Sequence, residues 1–249
     1  MTNSFYTAYY ENTLHHSKGF KLVLGGTGLG KTSGIIETVK QNIEENKRFF
    51  YVANRLQLLN EMAADLDKLN KELEKEGKPI IGYCLQERDE EIIKKIKKDD
   101  FEVLYNNTLI QKYAKSIYKN TNTEFVKNNY NLIQEFKENK NTSIIDILNK
   151  EVRSIFSFFR NIIKSASAEK NQKSYSELIE NPTIKALFPY LDFVNNPTKK
   201  RIFLVSLQKA FYGFFDGKQV INLYKLKNNK EKEETNIIFL DEFDFLEND

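Results

Sequence analysis

Apolar positions along this chain follow two different periods. Residues 21–24 (Lys-Leu-Val-Leu), 49–53 (Phe-Phe-Tyr-Val-Ala) and 236–240 (Asn-Ile-Ile-Phe-Leu) are short, nearly continuous β-prone runs. Such runs mark strands buried in a parallel sheet. Between them the period lengthens to that of a helix. Ile35, Ile36, Val39 and Ile43 share one side of residues 33–43, and a second helix follows residues 54–57 through Leu59 and Met62. Strands alternating with helices predict an α/β fold with a largely parallel sheet.

The middle of the chain departs from this alternation. Residues 66–76 read as a charged helix ending near Gly77, and residues 87–99 place Ile92, Ile93 and Ile96 at helical spacing within a solvated, charged face. Leu132, Phe136, Ile144, Ile147, Leu148, Val152, Ile155 and Phe159 continue the three- and four-residue spacing across residues 125–168. Phe156, Phe158 and Phe159 are expected as the core of this helical lobe, although Arg153, Arg160 and Lys164 beside them also suit a base-stacking surface. Two short runs, residues 79–85 and 101–105, are expected as strands. Residues 218–226 read as a further strand and residues 227–235 as a polar loop. The expected organisation is a first sheet segment (1–100), a mainly helical insertion (101–198) and a returning sheet segment (199–249).

Composition narrows the class without naming a chemistry. A net charge of +3 with interspersed signs permits nucleic-acid binding without requiring it. The single cysteine, Cys84, allows no internal disulfide and is expected as a buried thiol. No window reaches the length of a membrane span and the start lacks an export signal, so a cytoplasmic protein with no membrane partner is expected. Two adjacent histidines, His15 and His16, without a Cys-x-x-Cys, make a nitrogen–sulfur metal site an unfavoured expectation.

Chemistry enters with residues 25–32: Gly25, Gly26, Thr27, Gly28, Leu29, Gly30, Lys31 and Thr32. This is the phosphate-loop pattern, placed between a β-prone run and a helix as the motif requires. Glycines let backbone N–H groups converge on a triphosphate, and the positive end of the next helix faces it. Lys31 can reach the β- and γ-phosphates, and the Thr32 hydroxyl can ligate Mg²⁺. Far along the chain, the run 236–240 ends in Asp241-Glu242-Phe243-Asp244. Acidic residues at the carboxyl end of a parallel strand sit where open α/β sheets bind ligands. Asp241 is the expected metal-holding carboxylate, and Glu242 the residue that orients or deprotonates water.

Together these segments resemble the nucleotide site of superfamily 2 helicases and translocases, with residues 27–32 similar to motif I and residues 241–244 similar to the Asp-Glu-x-Asp box of motif II. Residues 49–57 are similar to motif Ia, which implies backbone contacts to nucleic acid from Asn54 and Arg55. A weaker likeness at residues 202–209 implies the same for Ser206 and Lys209. The resemblance implies a RecA-like P-loop ATPase fold with a helical insertion, ATP and Mg²⁺ as cofactors, and DNA or RNA as partner. It covers the front half of a motor only. It therefore implies a second RecA-like domain elsewhere, an arginine finger missing from this chain, and weak hydrolysis by the chain in isolation. The first and second motifs are also farther apart than is usual in that family. A signalling or switch ATPase, or a nucleotide-binding scaffold, is the alternative reading of the same motifs. The tyrosines Tyr6, Tyr9 and Tyr10, with Phe5, are candidate rings for stacking on adenine.

Overall fold

The computed structural model describes residues 5–16, 30–42, 47–119, 123–138, 149–169, 172–196, 198–226 and 235–241. The chain divides into two compact units, one of residues 1–85, 196–208 and 226–249, the other of residues 86–195 and 209–225. The helical unit thus begins earlier than residue 101 and recruits a late segment of the chain.

The first unit is α/β. Its opening helices are α1 (Phe5–His16) and α2 (Lys31–Gln41), followed by β1 (Lys47–Ala53) and α3 (Leu56–Lys75). Strands β2 (Tyr83–Gln86), β3 (Ile202–Ser206) and β6 (Thr235–Asp241) complete a four-stranded sheet in the order β2-β3-β1-β6. β1 pairs parallel with both β3 and β6. One face of the sheet presents Phe49, Tyr51, Ala53, Ile202 and Leu204, which share a core with Ile35 and Val39 of α2 and with Leu59, Met62 and Leu66 of α3. That core is what the helical spacing in residues 33–43 and 56–66 encodes: each helix buries its apolar stripe on the sheet.

Local polar bonds fix the outer helices. Asn42 donates through its side-chain amide to Glu11 at 2.7 Å and accepts from the Lys47 ammonium at 2.6 Å, tying α1, the end of α2 and the start of β1 together. α3 ends at Gly77, whose φ of +65° supports a closing bond from the Lys78 N–H to the Leu73 carbonyl. Asn70 then clamps Ile81 through both its amide nitrogen and its oxygen, at 3.0 and 2.7 Å.

Several expectations change here. The run 79–85 yields the shorter strand β2, because Gly82 is a crossing point: its carbonyl accepts from the Arg201 N–H at 2.7 Å. A Cβ on Gly82 would stand 1.6 Å from the Lys199 carbonyl oxygen. β6 is parallel as expected but half-exposed rather than buried, with Ile238 at 38% and Leu240 at 37% exposure. Among the described strands it has a neighbour on one side only.

The second unit is helical. It contains α4 (Asp89–Lys95), α5 (Lys98–Tyr105), α6 (Thr108–Tyr118), α7 (Glu124–Glu138) and a long helix, Asn149–Ala168. Residues 101–105 are therefore helix, not strand. Phe101, Leu104 and Tyr105 are buried at helical spacing, while Val103 is 71% exposed. Asp99 and Asp100 in the first turn suit the positive end of a helix dipole. Asn107 caps α6 by accepting from the N–H groups of Leu109 and Ile110. Phe156, Phe158 and Phe159 are buried in the unit's core, as the core reading expected. Phe101 stacks on Tyr130 with centroids 3.9 Å apart. The expected strand at 218–226 reduces to a two-residue strand, β5 (Val220–Ile221), antiparallel to β4 (Phe214–Phe215) and followed by a 3₁₀ turn, Leu223–Lys225.

Candidate nucleotide site at the carboxyl edge of the sheet

Among the described residues, the N-cap of α2 is a glycine, which has no side chain to cap the helix. Gly30, at φ +81°, makes a left-handed turn that other residues adopt at a cost, and no side chain caps the helix. The first helical bond runs from the Gly34 N–H to the Gly30 carbonyl at 2.9 Å. No acidic residue lies in the first turn. The positive end of the helix dipole thus meets no carboxylate of its own turn, which suits a bound anion. Lys31 and Thr32 open this turn and are both partly buried. Gly25, Gly26, Thr27, Gly28 and Leu29 lie outside the described residues, as do Glu242 and the run 21–24.

The acidic motif begins at the end of β6. Asp241 is opposite Ala53 of β1, and Ala53 is opposite Ser206 of β3. Three parallel strands therefore end in one row, with Asn54 and Arg55 exposed in the turn immediately after Ala53. The arrangement follows from register: in parallel strands, aligned carboxyl ends bring sequence-distant residues to a common edge. Lys209 belongs to the other unit, where its ammonium pairs with Asp89 at 2.7 Å.

Tyr51 is a residue that the sequence reading missed. It sits two positions before Ala53 on the same sheet face, is fully buried, and donates its hydroxyl to Asp241 Oδ2 at 2.5 Å. A hydrogen bond to a charged acceptor contributes about 1.5–3 kcal/mol and fixes the carboxylate's rotamer. The available signal was a single phenol in an otherwise apolar strand, since a buried tyrosine hydroxyl usually finds a polar partner.

Tyr10 links the two halves of the site. Its ring lies 5.4 Å from that of Phe239, which shares its sheet face with Asp241. A Cβ on Gly34 of α2 would stand 3.3 Å from the same ring and 2.8 Å from Tyr6 Cβ. Burial, and secondarily the charge of Asp241, push the Tyr10 hydroxyl up to about 12. One aromatic side chain thus packs against the second turn of α2 and against the acidic strand. Tyr6 and Tyr10 are core residues, so the expectation that they stack on a nucleotide gives way to a packing role; Tyr9 is half-exposed.

The chain matches no family model and no curated protein.

The carboxylate of Asp241 and the hydroxyl of Thr32 are oxygen donors, the type a hard cation prefers. Among the described residues no group of three or more His, Cys, Asp or Glu side chains gathers to hold a metal. Mg²⁺ does not need one: it is commonly held by one or two carboxylates, with water and substrate phosphates completing the shell. Asp241 and the Thr32 hydroxyl supply oxygen donors of that kind. Among the described residues, no helix is long and apolar enough to cross a membrane.

Proposed function

We propose that this chain is the nucleotide-binding front half of a nucleic-acid motor, a RecA-like ATPase of the superfamily 2 kind. One observation carries the reading. Asp241 ends a parallel strand on the sheet face that α2 also covers, and Tyr10 packs against both elements. Helix α2 and Asp241, separated by most of the chain, thereby belong to one compact unit.

In this reading the amide groups at the start of α2, with Lys31, receive the phosphates of ATP. The Thr32 hydroxyl and Asp241 hold Mg²⁺, and Tyr51 keeps the Asp241 carboxylate in one orientation. When bound, the metal neutralises charge on the β- and γ-phosphate oxygens. Glu242, the next residue along the chain, orients the attacking water. Asn54, Arg55 and Ser206, at or beside the ends of β1 and β3, are the backbone contacts of a nucleic-acid strand. Lys209 belongs to the helical unit, where it is engaged with Asp89.

The test is steady-state ATP turnover with and without single-stranded DNA or RNA. The wild-type chain is expected to turn over slowly, to respond to nucleic acid, and to lose turnover in Lys31→Ala. Turnover indifferent to nucleic acid would favour a switch ATPase. Wild-type turnover in Lys31→Ala would contradict the site altogether.

A further inference from the structure

The segment from Leu207 to Leu226 has two sides with different tasks. Its inner side is locked onto the helical unit. Phe214 packs on Tyr190 with centroids 4.3 Å apart, Phe215 on Phe188 at 5.3 Å, and the Arg160 guanidinium lies over the Phe215 ring at 5.7 Å. Gly213, at φ +110°, carries the chain from helix into hairpin where a Cβ would stand 2.6 Å from Val220 and 2.7 Å from the Ile221 carbonyl. The outer side instead presents rings to solvent. Tyr212 is 79% exposed, Tyr224 76% and Phe211 38%. Phe211 and Tyr224 lie 5.5 Å apart, joining the helix Leu207–Tyr212 to the turn Leu223–Lys225.

The exposed charges of this segment are lysines. Lys218 and Lys225 are exposed. The segment's one acid, Asp216, is turned into the hairpin, where it accepts from the N–H groups of Lys218 and Gln219 at 2.8 and 2.7 Å. Three rings are far too small for a stable protein interface, which takes roughly 800 Å² from each partner. They match the scale of one or two bases. Solvent-facing aromatics with lysines nearby in the chain suit single strands, because every base offers a ring face and every nucleotide a phosphate.

We propose that Phe211, Tyr212 and Tyr224 form a stacking platform for the bases of single-stranded nucleic acid, with Lys225 at its rim. The inference rests on the nucleic-acid reading above and assigns that partner a contact surface on the helical unit. Stacking tolerates any base, so the platform adds affinity without sequence preference.

Fluorescence anisotropy on the full chain tests it, with labelled oligo-dT and oligo-U of about 12 nucleotides, within the range of known single-strand site sizes. The double variant Tyr212→Ala/Tyr224→Ala should bind about tenfold more weakly or worse, while Tyr212→Phe/Tyr224→Phe binds within about twofold of wild type. The salt dependence should keep its slope, because the phosphate contacts are untouched. Both tyrosines are exposed, so melting temperature and ATP-analogue binding should not change. An alanine variant that binds like wild type overturns the platform and leaves the motor reading in place. A wild-type chain that binds ATP analogue but neither oligonucleotide overturns both.

Discussion

Tyr51 shows how one side chain can serve packing and chemistry together. Its ring is part of the sheet's core, while its hydroxyl holds a carboxylate at the sheet's edge. Tyr51→Phe keeps the ring and removes the bond. Thermal denaturation should show a loss of about 1.5–3 kcal/mol, and the Mg²⁺ concentration giving half-maximal ATP turnover should rise while nucleotide affinity without metal stays constant. An unchanged metal requirement would reduce Tyr51 to a structural residue. Gly82 makes the opposite point, since there the absence of a side chain is what matters. Gly82→Ala sets a methyl against the Lys199 carbonyl. Urea denaturation should report a loss of at least about 2 kcal/mol, because backbone rather than a flexible side chain must yield. Neither residue stood out in the sequence. A tyrosine in an apolar strand and a glycine before a strand have many ordinary uses, and only register and close approach single these two out.

At the scale of elements, legibility depended on how long the pattern ran. α3 and the helix Asn149–Ala168 keep their apolar stripe over 20 residues each, so their helical character was readable, but their bounds were not: the apolar spacing reads α3 as two helices and residues 125–168 as one stretch. Residues 101–105 were not, because five positions hold too little periodicity to separate a strand from a helical face. β1 was readable from its apolar run, while β3 entered only through the weaker likeness at residues 202–209. The exposure of β6 was not, because burial of a strand depends on its neighbours and not on its own residues. α7 gives a pH prediction. Tyr130 is buried, donates its hydroxyl to the Ile96 carbonyl at 2.8 Å, and is pushed up to about 12 by burial and then by Asp100, Glu102 and Asp99. Below pH 10 this residue adds no pH dependence. Between about pH 10 and 12 the unfolded chain ionises first, so stability falls as pH rises. Tyr130→Phe should be less stable by about 1 kcal/mol at neutral pH, yet lose less stability across that alkaline window. Denaturant titrations at pH 8 and 11 compare the two proteins; equal alkaline losses would contradict the assignment.

For the whole molecule, the sequence named the residues of the proposed site but not how the fold arranges them. Lys31, Thr32 and Asp241 were identified from motifs, as were Asn54, Arg55 and Ser206. What sets Asp241 and Ser206 on either side of Ala53 is the β3-β1-β6 order, and strand order is a property of tertiary packing. Tyr10, the ring packed against both α2 and the acidic strand, lies in neither motif. The proposed site requires that the start of α2 and Asp241 serve one magnesium nucleotide. Calorimetric titration of a non-hydrolysable ATP analogue, with and without Mg²⁺, tests it most directly on the wild type, Lys31→Ala and Asp241→Asn. The account predicts tight binding only by the wild type with Mg²⁺, loss of binding in Lys31→Ala, and in Asp241→Asn a residual affinity that Mg²⁺ no longer improves. Equal, Mg²⁺-enhanced binding by all three proteins would contradict it.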